Sequence, residues 1–95
     1  MTLNEEIDLL NSIFSKHGVK NKMPKVHGNR QANEILRMYG GMGSINDLII
    51  SKANGHNIEI SKENEINEQV GNLLASIYTK CEAIPPYKSK QQFIK

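Results

Sequence analysis

Residues 64–83 read NEINEQVGNLLASIYTKCEA, and their apolar side chains recur at the spacing of an α-helix. Leu74 widens the resulting stripe, whose other members are Ile66, Val70, Leu73, Ile77, Cys81 and Ile84. This pattern predicts a long amphipathic helix that buries one face. Pro85-Pro86 predicts its end, because proline has no N–H to donate and restricts the residue before it. The stretch therefore predicts a mainly helical protein.

The N-terminal segment, TLNEEIDLLNSIFSKHG at residues 2–18, predicts another helix. Thr2 and Glu5 have the spacing of a capping box, in which each side chain satisfies a free backbone N–H. Gly18 stands where helices commonly end on a left-handed residue. One face of this helix is apolar through Leu3, Ile7, Leu10 and Phe14.

The segment between these helices begins with a basic stretch, residues 16–30, which has five Lys or Arg and no acid. It has no helical period and contains glycines and a proline, so we expect an exposed loop. A helix resumes in QANEILRMYGG, residues 31–41, and Gly40 or Gly41 is expected to end it. Its apolar side carries Ala32, Ile35, Leu36 and Tyr39.

Residues 44–64, SINDLIISKANGHNIEISKEN, allow two interpretations. Ser44 and Asp47 have capping-box spacing and could start a short helix. Alternatively, LIIS and NIEIS are β-strands joined at Asn54-Gly55, a dipeptide that favours hairpin turns. We favour the hairpin, because the apolar residues of NIEIS alternate with polar ones.

The predicted architecture is therefore α+β and mainly helical, with three amphipathic helices and a short β-hairpin in two layers. Residues 1–84 are expected to form a single compact domain, since 95 residues are at most one domain. Residues 85–95 are basic and lack a periodic pattern, which predicts a flexible tail.

Composition limits the function. The net charge of +2 is too small to require a nucleic-acid partner, and the single cysteine favours a reducing, cytoplasmic setting. We expect no secretory signal and no membrane span. His17, His27 and His56 lack the spacing of a helix-borne metal pair, and we expect no metal and no cofactor. No acid–base or nucleophile set can be placed, so we expect a protein that is not an enzyme.

A glycine cluster is the one unusual local feature: GGMG at residues 40–43 is followed by Ser44 and by Asn46-Asp47. Glycine-rich backbone can cradle a phosphate, but the cluster lacks the lysine and the length of a P-loop and does not match GxGxxG. We favour a close-packed corner over a ligand loop, and the neighbouring polar side chains can hold the corner or contact a partner. The candidate binding residues are Gly40, Gly41, Met42, Gly43, Ser44, Asn46, Asp47, Glu63, Glu65 and Glu68.

The stretch YGGMGSINDL resembles the signature of a small, poorly characterised bacterial family, which reads GGMGS, a hydrophobic residue, then NDL. The matching residues here are Gly40 to Leu48, with Asn54-Gly55 and Tyr78 downstream. The resemblance covers about residues 30–84 and implies an amphipathic helix before the signature and a helix after it. It supplies no activity, and implies only a weak association with toxin or mobile-element genes.

Three functions remain open. The favoured one is a non-enzymatic module of bacterial or phage origin that neutralises a partner protein, as an immunity protein or phage-type inhibitor does; the partner would be a toxin or a defence or host factor. The partner would dock on the acidic residues Glu63, Glu65 and Glu68 or on residues 40–48, which we call the signature corner. The second is an oligomeric nucleotide binder that uses the glycine-rich loop. The third is a nucleic-acid binder that uses the basic stretch.

Overall fold

A computed structural model describes residues 1–40 and 43–85. The last helix packs against both others, so the core lies where the three meet. The elements are α1 (Leu3–Lys16), α2 (Asn29–Leu36) and α3 (Glu63–Glu82), with short 3₁₀ turns at Ile45–Asp47 and Ile60–Lys62. The largest fully buried side chains are those of Phe14, Ile7, Leu10, Met23, Ile35, Ile50, Ile77 and Cys81.

Helix α1 forms as its sequence predicts. The Glu5 N–H donates to Thr2 Oγ1 at 3.2 Å, and the Thr2 N–H donates to Glu5 Oε1 at 2.8 Å. This capping hydrogen bond holds the pKa of the Glu5 carboxyl below its usual value. At the other end, Gly18 adopts φ +77°, and the Val19 N–H donates back to the Phe14 carbonyl at 2.8 Å. This arrangement is a Schellman ending, for which a residue without a Cβ is suited.

The predicted β-hairpin is wrong, because the described residues contain no β-strand. Asn54-Gly55 does turn the chain, but it closes a single helical turn: Gly55 has φ +86°, and the His56 N–H donates to the Ser51 carbonyl at 3.0 Å. Ile58 is buried, whereas Ile60 is 70 % exposed, so their alternation does not mark one face of a sheet. The fold is thus helical rather than α+β. The competing short helix is reduced to the 3₁₀ turn Ile45–Asp47.

Asparagine side chains take the place of strand partners. Asn67 on α3 accepts the Ile50 N–H and donates to the Ile50 carbonyl, both at 2.8 Å. A primary amide has one acceptor and two donors, so it pairs with a peptide group as a neighbouring strand would. We call such a bidentate pair an amide clamp. It satisfies the backbone of Ile50, which is fully buried, without any sheet.

Two further amide clamps hold the basic stretch on α1. Asn4 pairs with both backbone groups of Val26 at 2.8 and 2.9 Å, and Asn11 pairs with those of Met23, both at 2.9 Å. The two asparagines are seven residues apart, and two helical turns rise about 10.5 Å. Three extended residues, the separation of Met23 and Val26, span about 10 Å. The two spacings match, so the segment can run antiparallel along the helix.

The expectation of an exposed loop over residues 16–30 is therefore only half right. Val19 and Met23 are buried in the core, while the lysines between and beyond them remain exposed. Among residues 1–40 and 43–85, no helix combines the length and the apolar character needed to cross a bilayer. Most of the predicted tail, residues 86–95, lies outside the described residues.

Candidate functional site

The signature corner is built from backbone and asparagine contacts. Gly40 and Gly43 have φ values of +79° and +76°, which reverse the chain where a Cβ would be strained. The Ile45 N–H donates to the Met38 carbonyl at 2.9 Å, and Ile45 is buried in the core. These contacts fix the corner to the body of the protein. Gly41 and Met42 lie outside the described residues.

The corner's backbone donors are partly used within the corner itself. The Gly40 N–H donates to Asn46 Oδ1 at 3.2 Å, and the Ile45 N–H is held by Met38. A phosphate cradle needs several free N–H groups that converge on the anion. Two of the donors that such a cradle would use here are already occupied, which counts against a nucleotide at this position.

Tyr39 connects the end of α2 to α3. Its hydroxyl donates to the Leu74 carbonyl at 2.8 Å. Its ring meets that of Tyr78 edge to face, with ring centroids 4.9 Å apart and planes at 66°. Tyr39 is half-buried, whereas Tyr78 is 36 % exposed. Tyr39 thus fixes the position of the pair, and Tyr78 exposes part of its ring at the surface.

A shallow depression of about 370 Å³ lies beside this pair. We call it the tyrosine depression; it is lined by Leu36, Tyr39, Gly40, Asn46 and Tyr78. It brings two candidate residues of the signature, Gly40 and Asn46, together with two aromatic rings from other elements. The other described candidates, Gly43, Ser44, Asp47, Glu63, Glu65 and Glu68, do not line it. Ser44 is half-buried and Asp47 is exposed, and the Ser44 hydroxyl lies 3.4 Å from Asp47 Oδ2.

The orientation of the Asn46 amide follows from its neighbours. Both the Gly40 N–H and the Ser44 hydroxyl donate to the same atom, which must therefore be the oxygen. The Asn46 Nδ2 group has no hydrogen bond to the described residues. The tyrosine depression therefore combines apolar and aromatic walls with the hydrogen-bond donors of Asn46 Nδ2 and the Tyr78 hydroxyl.

Burial gives Tyr39 an abnormal titration. Desolvation, reinforced by Cys81 and Tyr78, raises the pKa of the Tyr39 hydroxyl well above its usual value. Burial also raises the pKa of the Cys81 thiol, which lies on the buried stripe of α3.

We expect Tyr39 to make stability sensitive to alkali. Its folded pKa lies above the unfolded value of about 10, so its contribution is complete below about pH 10 and is lost as the pH rises further. Replacement of Tyr39 by phenylalanine should flatten the alkaline fall in the free energy of unfolding, measured by urea titration at stepped pH. Tyr78→Phe retains Tyr39, so its free energy of unfolding should still decrease at alkaline pH. Equal alkaline slopes for both variants would contradict the assignment.

The three acidic candidates lie in the first two turns of α3 and have different surroundings. Glu63 Oε2 accepts the Lys52 N–H at 3.0 Å, so this carboxylate holds the preceding turn. Glu65 lines a second hollow, of about 490 Å³, which also contains Lys16 and Lys62. Glu68 is exposed. Glu63 is thus engaged with the backbone, whereas Glu65 and Glu68 are exposed neighbours three residues apart on α3.

A polar cluster that sequence reasoning missed joins α1 to α3. Glu6 is 8 % exposed, and its two carboxylate oxygens accept the Ser76 hydroxyl at 2.8 and 3.0 Å. Lys80 Nζ lies 3.1 Å from Glu6 Oε1 and donates to the Met1 carbonyl at 2.8 Å. The sequence signal for this cluster was the i, i+4 spacing of Ser76 and Lys80, which puts both side chains on the same face of α3. Since the carboxylate is paired with Lys80 and accepts the Ser76 hydroxyl, we assign the cluster to helix packing.

No three His, Cys, Asp or Glu side chains in residues 1–40 and 43–85 converge in a way that could hold a metal ion. In the comparisons with known proteins, a family described as a domain of unknown function (DUF6966) matches residues 20–59 of the chain. The match covers residues 20–30 of the basic stretch, α2 and the signature corner, and it ends before α3 and Tyr78. No curated protein and no solved structure matches significantly.

Proposed function

We propose that this chain is a non-enzymatic module that binds a partner protein through the tyrosine depression and so neutralises it, as an inhibitor or immunity protein does. The observation that carries the proposal is the exposed Tyr78 ring, held edge-on by Tyr39 beside the Asn46 amide, whose Nδ2 group makes no hydrogen bond to the described residues. Tyrosine is enriched among the residues that dominate binding energy at protein interfaces.

Rigidity supports this use of the tyrosines. The Tyr39 hydroxyl is already bound to α3, and Asn46 is held by Gly40, so little side-chain freedom remains to be lost on binding. The depression has room for one apolar side chain against Leu36 and the rings. The Asn46 Nδ2 group can donate to a backbone carbonyl next to that side chain. We therefore expect the partner to present an apolar residue on an extended segment.

The test begins with the stoichiometric protein that co-purifies with the tagged chain from its native cell, and it measures affinity for that protein by calorimetry. Tyr78→Ala should weaken binding by about thirtyfold or more, the scale of an interface hot spot. Asn46→Asp should weaken it by about tenfold, because the acceptor for Gly40 is kept while the outward donor is lost. Thr79→Ala, a neighbouring exposed position outside the depression, is the matched control.

The acidic residues provide the competing outcome. If Glu65→Lys/Glu68→Lys abolishes binding while Tyr78→Ala and Asn46→Asp bind as the unchanged protein does, the acidic residues are the dock and the tyrosine depression is not. If no protein co-purifies and a nucleotide does, the protein-binding proposal fails. Thermal unfolding of each variant separates lost contact from lost fold.

A further inference from the structure

The basic stretch borders a hollow that the proposed function does not use. The hollow has a volume of about 580 Å³ and lies between the solvent side of α1 and residues 18–22. Its donors are the hydroxyls of Ser12 and Ser15, the amide of Asn21 and the ammonium groups of Lys20 and Lys22. Ser12 and Ser15 are three residues apart, so they lie on the same face of α1.

The wall that carries the lysines is fixed at both ends. Val19 is buried, and its N–H is bound to the Phe14 carbonyl at 2.8 Å. Met23 is buried and held by the Asn11 amide clamp. Only residues 20–22 lie between these two anchors, so both lysines project from a backbone of defined position. A flexible loop would have to be ordered on binding, whereas this segment is already ordered.

The charges in the hollow are mainly positive. Its single carboxylate is that of Asp8, and Lys25 Nζ lies 3.4 Å from Asp8 Oδ2, so this negative charge has its own partner. The side chains of Ser12, Ser15 and Asn21 make no hydrogen bond within residues 1–40 and 43–85. The C-terminal carbonyls of α1 are partly satisfied by the N–H groups of Gly18 and Val19, which limits their repulsion of an anion.

We propose that this hollow binds a phosphate group carried by a small phosphorylated molecule. Ammonium, hydroxyl and amide donors together match the acceptor oxygens of a phosphate. The volume falls within the usual range of small-ligand sites, about 300–1,000 Å³. A nucleic-acid backbone fits less well, because it needs cations along an extended track. Lys25 is engaged by Asp8, and neither Lys16 nor Arg30 lines the hollow.

The test is a titration of the isotopically labelled full chain with inorganic phosphate, followed by backbone amide NMR at constant pH and ionic strength. Saturable shifts confined to residues near 12–22 are expected, with none in the chloride control. Lys20→Gln/Lys22→Gln should weaken binding by about tenfold or more, since charge-assisted hydrogen bonds are lost. Lys52→Gln/Lys62→Gln removes the same charge elsewhere and should bind phosphate as the unchanged protein does.

Two further ligands identify the source of the phosphate. A sugar phosphate or mononucleotide that binds more tightly than inorganic phosphate, with shifts in the same residues, supports a small-molecule site. A single-stranded oligonucleotide that binds more tightly than either, with shifts that extend to Lys16 and Arg30 and a steep salt dependence, makes the surface a nucleic-acid contact and overturns the proposal. The proposal is also overturned if the shifts with phosphate do not saturate, or if phosphate binding weakens equally in the two double variants.

Discussion

Replacement of Asn67 by leucine is expected to lower the free energy of unfolding by about 3 kcal/mol, because it leaves two buried backbone groups without a partner. The lost amide clamp accepts the Ile50 N–H and donates to its carbonyl, and Asn67 Nδ2 also donates to the Glu63 carbonyl at 2.8 Å. Leucine has a similar size and a higher helix propensity. The change therefore isolates the hydrogen bonds.

The matched control is Asn72→Leu, the same substitution at an exposed position of the same helix, which should change stability by less than about 0.5 kcal/mol. Both are measured by urea denaturation with helical circular dichroism. Asn67→Asp adds a finer test, because a carboxylate can still accept the Ile50 N–H but cannot donate to its carbonyl. If Asn67→Leu and Asn72→Leu unfold at the same urea concentration, the backbone of Ile50 does not depend on the clamp.

The amide clamp also explains why the hairpin prediction was wrong. Ile50 and Ile58 do contribute to the core, and the sequence correctly marks a turn at Asn54-Gly55. Strand prediction assumes that the backbone of such a segment is satisfied by another strand. Here a side chain from α3 satisfies it, seventeen residues further along the chain. No local period distinguishes an asparagine that clamps a backbone from one that faces solvent, as Asn72 does.

The features that the sequence predicted well are those that depend on neighbours within one or two helical turns. The Thr2–Glu5 capping box, the Gly18 ending and the buried stripe of α3 all follow from local spacing, and the structure confirms each. Helix α2 is shorter than predicted and ends at Leu36, although the turns that follow carry the chain on to Gly40.

The candidate site was harder to predict because its parts come from distant positions. Asn46 and Gly40 were identified from the signature corner, but the contact between Tyr39 and Tyr78 joins residues that are 39 positions apart. Tyr39 was expected on the apolar side of its helix, and Tyr78 entered only through the family resemblance. Helix packing sets this contact, and no pattern along the chain encodes it.

The ion pair between Glu6 and Lys80 should respond unequally to the loss of each partner. The Glu6 side chain is 10 % exposed and the Lys80 side chain 38 %. Lys80→Met leaves a nearly buried carboxylate with only the Ser76 hydroxyl, and we expect it to lower the free energy of unfolding by about 2.5 kcal/mol. Glu6→Met leaves a lysine that can turn toward water, so its cost should stay below about 1 kcal/mol.

The double variant Glu6→Met/Lys80→Met provides the sharpest comparison. With both charges gone, no ion is stranded, and Ser76 can donate to a carbonyl of its own helix instead. Its stability should therefore exceed that of Lys80→Met alone, even though it carries one more substitution. Lys62→Met controls for the loss of an exposed lysine elsewhere. The free energy of unfolding of all four variants is measured by chemical denaturation. If Glu6→Met and Lys80→Met lower it equally, or if the double variant is less stable than Lys80→Met, the buried carboxylate is not the group that limits stability here.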